Sequence, residues 1–530
     1  MLDVLIKGGN VCDGTGKKPL QADIAIKDGK IVDIGTISGE CHQTLDASNL
    51  VVCPGFIDLH THSDFTLAAN GRAESQVHQG VTTEVVGQCG VSCAPARSNA
   101  DIALMSPGFI DGAVDANWRS FIEYLDHLDK TPLGVNVAAF VGHGTIHRAI
   151  VGEELRTANE DEMDEMVALL DESIEGGAYG FSTGLEYWPG SLSSPDQLAD
   201  MAKVAAKHDV LYATHVRNRD LFYDLGFGEA LSTARAAGAR LQISHIQPKF
   251  GAPEYAMQHA VDMCEQARGH GVDVAFDVIP HDWSHTHVMA ILPQWAREGG
   301  VKKVRERLRD KATRERIKRN PRPMWRLVNS DGWHKIVLMQ SEANHDLVGM
   351  SFDEIGRRKN THPYDAVFEL LLEEEEVNMS HLMWTSQSFD NGDIKLALQQ
   401  PQCAVISDTQ ALAPYGCLKH HIGSLSGYGW AARFLAHYVR EERILTLQEG
   451  IRRITSLPAE RLGISDRGTL KTGACADITV FDASHITSHA TVTTPRKYAS
   501  GIAHVLVNGG ISMRNGERTE MDSGTVLRSH

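Results

Sequence analysis

Between residues 51 and 410 the chain alternates between short apolar runs of strand type and longer stretches with helical periodicity. Alternation of this kind is typical of parallel strands joined by helical crossovers. The first run ends at His60 and His62, and seven more follow at residues 82–87, 135–142, 178–182, 211–215, 241–245, 272–278 and 404–408. Eight strands are what a closed (β/α)8 TIM-type barrel needs, so the pattern predicts an α/β barrel. Residues 381–385 are an alternative strand, which leaves the register of the last two units open.

The two ends of the chain carry a different pattern, in which short strands are joined by tight turns. Apolar and polar residues alternate on both sides of Asp28-Gly29, a dipeptide that favours a β-hairpin. Similar strand patterns return at residues 476–482 and 504–510. We therefore predict one small β-sandwich domain, built from residues 1–54 and 455–530.

The barrel domain is predicted at residues 55–454, and its rhythm breaks at about 283–350. This break predicts an insertion late in the barrel. Residues 302–326, inside the insertion, are dense in Lys and Arg but also carry acidic residues. Mixed charges of this kind favour a solvated helix face over a contact with nucleic acid or membrane.

Composition and charge narrow the class of protein. With 530 residues, 42% of them hydrophobic and 22% charged, the chain suits about two globular units. A formal net charge of −17 argues against nucleic acid or anionic membrane as a main partner. No run approaches the roughly 20 apolar residues of a membrane span. The first residues lack the pattern of a signal peptide and the nine cysteines are scattered, so we predict a reduced, cytoplasmic protein.

The first chemical signal is the pair His60 and His62 at the end of the first strand. Side chains two residues apart on a strand point to the same face, so both imidazoles face one point. Two converging neutral imidazoles form half of a zinc site. Because the chain contains 26 histidines, a chance pair is common and further ligands are needed.

Further candidate ligands stand at the ends of other predicted strands, where barrels of this type carry their chemistry. They are Cys89 after the second strand, His215 at the fifth, His245 at the sixth and Asp408 at the last. A lone histidine at a strand end is usually structural, but six residues at equivalent positions indicate a shared site. Nitrogen, sulfur and oxygen donors in this combination suit zinc, which would hold the Cys89 thiol deprotonated.

With these residues in view, the chain resembles the amidohydrolase superfamily and, within it, the N-acyl-D-amino-acid deacylases (D-aminoacylases). The similarity spans nearly the whole length and includes VCPGFIDLHTH at 52–62, GVTTEVVGQCG at 80–90, GFSTGLEY at 180–187 and TSLPAERLG at 455–463. Many amidohydrolases bridge two metals with a carboxylated lysine on the fourth strand, but residues 178–182 contain no lysine. In the D-aminoacylase branch a cysteine after the second strand takes that role, which matches Cys89.

The resemblance also implies how the ligands are divided. Cys89, His215 and His245 would hold one tight zinc ion. The remaining three ligands would form a weaker second site, namely His60, His62 and Asp408.

The chemistry expected of this ligand set is hydrolysis of a linear amide, with a small-molecule amide as the substrate. Zinc lowers the pKa of a water molecule that it polarises, to about 7. It also polarises the carbonyl group. Asp408 is the expected general base, which then passes the proton to the leaving amine. His143, at the end of the third strand, is a second candidate for polarising the carbonyl, with a structural role in its loop as the alternative.

Several residues expected at the substrate end are replaced. Family members place a lysine two residues after the sixth-strand histidine, where this chain has Gln247, and Lys249 follows two residues later. The family's Tyr-Pro-Tyr ends here in His281, and its His-Pro-Arg segment is altered around Lys419. Tyr187, which the resemblance marks as a carboxylate contact, is retained. Because a buried carboxylate without its cation is costly, we hypothesise a substrate whose acid group is absent, relocated, or bound by Lys249, Lys419 or His281.

Two other functions remain as alternatives. A cyclic-amide hydrolase of the hydantoinase or dihydropyrimidinase type belongs to the same superfamily, but the missing bridging lysine and the presence of Cys89 weigh against it. A non-catalytic scaffold with an amidohydrolase fold is the other alternative, because a fold does not determine a function. Such a scaffold is expected to have lost ligands, and here all six positions are filled.

Overall fold

Strands and helices alternate through the middle of the chain in the computed structural model, which describes residues 1–99, 101–102, 114–297, 300–319, 326–376, 379, 382–419 and 421–529. Its strands are β1 (Leu2–Val11), β2 (Leu20–Lys27), β3 (Lys30–Gly35), β4 (Cys41–Asp46), β5 (Val51–Pro54), β6 (Phe56–Asp58), β7 (Val81–Val86), β8 (Asn136–Gly142), β9 (Gly180–Gly184), β10 (Leu211–His215), β11 (Arg240–Ile243), β12 (Val274–Val278), β13 (Trp283–His287), β14 (Ile336–Gln340), β15 (Met383–Gln387), β16 (Cys403–Val405), β17 (Ile478–Phe481), β18 (Ile502–Val507), β19 (Gly510–Arg514) and β20 (Glu517–Arg518).

The described α-helices are Asp64–Ala69, Glu74–Val77, Phe121–Asp129, His143–Ile150, Glu160–Glu175, Pro195–Lys207, Tyr223–Ala237, Ala256–Gly269, Gln294–Arg297, Gly300–Arg309, Lys311–Lys318, Arg326–Asn329, Phe352–Lys359, Pro363–Glu373, Asn391–Leu398, Leu425–Arg433, Leu447–Arg453 and Ser456–Leu462. A π-helix, Phe434–Glu441, continues one of them. Short 3-10 turns lie at Gly190–Leu192, Val288–Ile291, Gly332–Lys335, His345–Leu347 and Gly416–Leu418. None of these described helices combines the length and the apolar character needed to cross a membrane.

Eight parallel strands form the barrel, in the order β16-β12-β11-β10-β9-β8-β7-β6. The two outer strands meet just beyond their carboxyl ends, where Thr61 forms a bridge with Thr409. The N–H of His62 donates to the carbonyl of Thr409 at 2.7 Å, which strengthens the same seam. The predicted (β/α)8 barrel is therefore confirmed, and its closure brings the first and the last strand end together.

The interior of the barrel is a packed core rather than a pore. Side chains from several strands fill it, among them Ile57, Val85, Phe140, Leu211 and Ala404, all at most 1% exposed. Because layers of side chains close the middle of such a barrel, the space for a ligand lies at one end of the strands.

The crossover helices begin at well-capped positions, which explains why the sequence predicted them. Asn159 and Glu162 form a reciprocal capping box at 2.9 Å in both directions, at the start of the helix Glu160–Glu175. Ser194 caps the helix Pro195–Lys207 in the same way, with Pro195 in its first turn. Apolar residues at helical spacing, such as Met166 and Leu170, are buried against the barrel.

Both chain ends join in a second sheet of nine strands, which is the sheet domain predicted as a β-sandwich. β5 connects the two halves, because it pairs with β1 on one side and with β17 on the other. An apolar core that includes Ile24, Val52 and Val480 lies within this domain. The N–H of Gly55 donates to the carbonyl of Asp477 at 2.8 Å where the chain passes from this sheet into the barrel.

The insertion carries a three-stranded sheet of its own, in the order β13-β15-β14. It has a separate apolar core, to which Leu308, Trp333 and Phe368 belong. Its sheet extends past the predicted end near residue 350, because Met383–Gln387 pairs antiparallel with both β13 and β14. The described part of the alternative strand at 381–385 is therefore a strand of the insertion and not of the barrel.

Candidate metal centre

The seam of the barrel places the first histidine pair beside the last predicted ligand. The amide N–H of Asp408 donates to the carbonyl of His60 at 3.1 Å. Their side chains also meet, with Oδ1 of Asp408 lying 3.4 Å from Nε2 of His60 and 3.1 Å from Nε2 of His62. The hydrogen bonds that close the barrel thus assemble half of the candidate site.

The thiol of Cys89 connects this half to the other one. Its Sγ lies 3.3 Å from Nε2 of His60, 3.7 Å from Nδ1 of His215 and 3.4 Å from Nε2 of His245. Two groups of potential ligands result, each with its ligand atoms within 4.8 Å of one another, namely His60, His62, Cys89 and Asp408, and Cys89, His215 and His245. The structure therefore brings together all six predicted ligands, with Cys89 shared by both groups.

These spacings fit a zinc ion. Zinc bonds of about 2.0 to 2.3 Å at tetrahedral angles put neighbouring donor atoms about 3.3 to 3.8 Å apart. The three distances from the Cys89 sulfur, 3.3, 3.4 and 3.7 Å, lie within that range. The mixture of imidazole nitrogen, thiol sulfur and carboxylate oxygen is also one that zinc accepts.

The electrostatics of the site favour the ionised forms of its acidic donors. Burial opposes ionisation of the Cys89 thiol, but the surrounding imidazoles, His60 first, hold its pKa well below the usual value. Burial also opposes ionisation of Asp408, yet the imidazoles of His245 and His60 hold its pKa well below the usual range. A thiolate and a carboxylate in one buried pocket present negative charge to a cation.

Three of the six residues leave their strands in a left-handed backbone conformation. Cys89 has φ 53°, His245 has φ 35° and Asp408 has φ 52°. Residues other than glycine avoid this region, and when they adopt it the position is commonly part of a functional site. The repeated turn at three strand ends is therefore an indication of function that does not depend on residue type.

Glu186 contacts the candidate ligand His215, and the sequence alone did not identify it as a site residue. Its Oε2 lies 2.8 Å from Nε2 of His215, so the ring nitrogen that faces away from Cys89 has a carboxylate partner. Burial opposes ionisation of Glu186, but the ammonium of Lys249 brings the pKa of the carboxyl down to about 2. A carboxylate on the outer nitrogen of a ligand histidine fixes the ring and raises its basicity.

Lys249 reaches this carboxylate because the loop after β11 is tightly held. Arg219 donates to the carbonyls of His245 and Gln247 at 2.7 and 2.8 Å, and its own carbonyl accepts from the N–H of Lys249 at 2.6 Å. The Lys249 ammonium then hydrogen-bonds Oε2 of Glu186. The loop thus turns Lys249, and not Gln247, toward the metal centre.

A cavity of about 560 Å³ opens above the candidate ligands. His62, Cys89, His215, His245 and Asp408 lie among the residues on its barrel side. The insertion contributes the opposite wall, with Ser284, His285, Thr286, His287, Met289, Ala290, Arg297, Val301, Val304 and Met383. The cavity therefore lies between the metal centre and the insertion.

The predicted substrate residues fall into two sets. Tyr187 and Lys249 line the cavity. Gln247 is fully buried, and its side-chain amide exchanges hydrogen bonds of 2.8 and 3.2 Å with the backbone that follows β12. His281 is buried outside the cavity lining, and Lys419 is exposed on the surface.

His143, predicted as a possible catalytic residue, lies behind the cavity wall. Its ring is 2% exposed, and Nε2 lies 3.1 Å from the hydroxyl of Ser193. Burial lowers the pKa of His143 to about 3, so the ring is neutral. This contact corresponds to the structural alternative named for His143.

A closed (β/α)8 barrel with histidine, cysteine and aspartate donors gathered at the carboxyl ends of its strands defines the class of metal-dependent barrel enzymes. Within that class, the chain belongs to the amidohydrolase family, whose sequence profile matches residues 43–325 and 394–513. The resemblance seen in the sequence is thereby confirmed.

Curated relatives make the similarity more specific. N-acyl-D-glutamate deacylase from Alcaligenes xylosoxydans xylosoxydans is 31% identical over 517 residues, which cover 96% of this chain and 93% of the relative. D-aminoacylase from the same organism is 29% identical over 531 residues, which cover 99% of this chain and 97% of the relative. This chain is thus similar to these deacylases over nearly its full length.

Solved structures point the same way. N-acyl-D-glutamate deacylase from Bordetella bronchiseptica, complexed with zinc and a phosphonate that mimics the tetrahedral intermediate, superposes with a TM-score of 0.82 at 29% identity and 99% coverage of both chains. A D-aminoacylase structure gives a TM-score of 0.80 at 26% identity, with 100% of both chains covered. L-hydantoinase from Arthrobacter aurescens gives 0.54 at 18% identity with full coverage of both chains, a likeness of fold alone.

Proposed function

We propose that this protein is a zinc-dependent amidohydrolase that hydrolyses the linear amide bond of N-acyl-D-amino acids. The observation that carries the proposal is the position of Cys89, whose sulfur belongs to both groups of potential ligands. β9, the fourth strand of the barrel, reads Gly-Phe-Ser-Thr-Gly and offers no lysine for that position. A shared thiolate in place of a bridging lysine matches the D-aminoacylase branch that the sequence resembles.

The candidate ligands are proposed to perform two tasks: one group holds the metal, and Asp408 transfers the proton. Cys89, His215 and His245 form the more buried group and are proposed to hold the tight zinc ion. When bound, zinc supplies a Lewis acid that polarises the carbonyl and lowers the pKa of water. Asp408 is proposed to take the proton of the attacking water at its carboxylate and to pass it to the leaving nitrogen. Its lowered pKa keeps the carboxyl in the ionised form that a general base requires.

Lys249 is the proposed partner of the substrate carboxylate. Of the three groups suggested for this task, it alone lines the cavity, while Lys419 and His281 do not. Tyr187, at the same end of the cavity, donates its hydroxyl to the carbonyl of Cys89 at 2.7 Å and is thereby held in place. A relocated lysine therefore offers a cation where the usual position holds Gln247.

The position of Arg297 supports the proposal that the substrate carries an acidic side chain. It comes from the insertion and lines the cavity, and burial lowers the pKa of its guanidinium. Its Nε has no hydrogen-bond partner among the described residues. A desolvated guanidinium whose Nε has no partner among the described residues favours a carboxylate ligand, which agrees with the similarity to N-acyl-D-glutamate deacylase.

The alternatives receive less support. The hydantoinase structures share the fold at 14 to 18% identity, well below the deacylases. A scaffold without catalysis gives no reason for six donors to converge at one end of a barrel. The nine cysteines are all unpaired thiols, which supports the prediction of a reducing, cytoplasmic location.

The test of this proposal is a comparison of linear and cyclic amides at defined zinc content. Release of free amino acid from N-acetyl-D-glutamate, with no ring opening of hydantoin or dihydrouracil, is the expected result. Ring opening as the faster reaction would contradict the proposal and favour the hydantoinase type. No hydrolysis of either substrate by protein that binds zinc would support the scaffold.

A further inference from the structure

One imidazole on the insertion side of the cavity has no role in the function proposed above. His285 lies in the middle of β13. Every residue of this strand after Trp283 lines the cavity. His285 pairs with Thr385 of β15 in an antiparallel register. The hydroxyl of Thr385 donates to the carbonyl of Ser284 at 2.7 Å, which adds a side-chain bond to the ladder. A strand held in this way presents His285 from a fixed backbone.

His285 and Asp408 line the same cavity. Asp408 is the charged group that acts on the imidazole most strongly, followed by His287 and His62. Among the described residues, no hydrogen bond to its ring is present, whereas His143 is bonded to Ser193. His285 is therefore an imidazole on the cavity that the proposed base also lines, and no described residue bonds either of its ring nitrogens.

This imidazole is uncharged at neutral pH. Burial in the cavity wall lowers the pKa of His285 to about 4, although the carboxylate of Asp408 acts in the opposite direction. A neutral imidazole has one N–H donor and one acceptor nitrogen. Neutral histidines are known to polarise carbonyl groups in enzymes, because a fixed N–H donor stabilises the charge that develops on oxygen.

The position of the proposed base indicates which substrate atom His285 meets. Asp408 has to reach both the attacking water and the leaving nitrogen, so the scissile carbon lies beside it. A donor on the insertion side of the cavity that Asp408 also lines is placed to reach the oxygen on that carbon.

We propose that His285 donates a hydrogen bond to the carbonyl oxygen of the scissile amide and stabilises the tetrahedral stage of hydrolysis. The insertion would then take part in catalysis as well as in forming the cavity wall. This inference rests on the proposed function as an amide hydrolase. It gives to His285 the role that the sequence suggested for His143.

The experiment compares His285→Ala and His285→Gln with the wild-type zinc enzyme on N-acetyl-D-glutamate. Removal of one such donor costs about 10²- to 10³-fold in kcat, so we expect a loss of that size in His285→Ala with KM changed less than about threefold. Glutamine keeps an N–H donor, and His285→Gln should recover at least about tenfold of the loss. His334→Ala, which removes an exposed imidazole of the insertion outside the cavity, should behave as wild type.

A second readout does not depend on turnover. The affinity of a phosphonate analogue of the tetrahedral stage, measured by calorimetry, should fall in His285→Ala by about the same factor as kcat/KM, with the zinc content unchanged. An unchanged phosphonate affinity, or a change confined to KM, would overturn the inference while leaving the proposed function intact. A wild-type enzyme that releases no amine from any N-acyl amino acid would overturn both.

Discussion

Asp408 and His60 hold each other at the seam of the barrel, through a backbone hydrogen bond of 3.1 Å and a side-chain contact of 3.4 Å between Oδ1 and Nε2. The backbone hydrogen bond helps to close the barrel, and the side-chain contact brings two candidate metal ligands together. Closure of the barrel and assembly of the metal centre are therefore one structural event. A change that opens this seam should affect metal binding as well as stability.

Replacing Cys89 by alanine should abolish tight zinc binding. The thiol belongs to both ligand groups, so its loss removes a donor from each. Elemental analysis of the dialysed protein should show zinc falling from about one equivalent to near zero. Cys93→Ala is the matched control, because Cys93 is a buried thiol four residues away that belongs to neither group. Zinc content unchanged in Cys89→Ala would rule out the proposed ligand role.

Replacing Asp408 by asparagine should separate metal binding from proton transfer. The ligand group proposed to hold the tight zinc does not include Asp408, so zinc at about one equivalent should be retained. The amide cannot accept a proton, and general base catalysis contributes about 10²- to 10⁴-fold. Steady-state kinetics should show kcat reduced by that order. Near-normal turnover in Asp408→Asn would remove this residue from the base role.

Glu186→Gln should weaken zinc binding without touching a ligand. The carboxylate holds the outer nitrogen of His215 at 2.8 Å, and loss of such a partner costs about 10- to 100-fold in metal affinity. Competition with a chelator of known affinity measures the change. Glu229→Gln is the control, because Glu229 is also a paired carboxylate but bonds Arg217 and no candidate ligand. Equal zinc affinities in wild type and Glu186→Gln would show that this contact is dispensable.

Arg297→Met should change substrate preference rather than chemistry. Loss of a hydrogen bond between charged groups, about 1.5 to 3 kcal/mol, corresponds to about a 10- to 160-fold fall in kcat/KM for N-acetyl-D-glutamate. N-acetyl-D-leucine, which lacks the side-chain carboxylate, should change less than about threefold. Arg316→Met serves as control, since Arg316 stacks on Trp295 in the insertion. Equal losses on both substrates would argue against a contact with the side chain.

The barrel and the gathering of the six candidate ligands could be predicted because each depends on a local pattern. An apolar run that ends in a polar donor identifies a strand end, and strand ends converge in a closed barrel. His60, His215 and Asp408 could thus be grouped without a structure. Their grouping required the fold class and no detail of loop geometry.

The carboxylate behind His215 and most of the cavity wall could not be predicted, because they depend on how loops and sheets pack. Glu186 is visible in the motif after β9, but only the fold shows that it meets His215 and Lys249. The end of the insertion was placed too early because an apolar run does not reveal whether it pairs in parallel or antiparallel. His143, which was expected to polarise the carbonyl, has a buried ring. His285 lines the cavity because β13 pairs with β15.

The most direct test of the central proposal is kcat/KM for N-acetyl-D-glutamate and for its L enantiomer, measured while zinc is titrated into metal-free protein. We expect activity on the D enantiomer to rise with zinc and to reach its maximum near one equivalent, with the L enantiomer at least about 100-fold slower. Activity that is independent of zinc, or equal for the two enantiomers, would contradict a Cys89-centred zinc deacylase of D-amino acids.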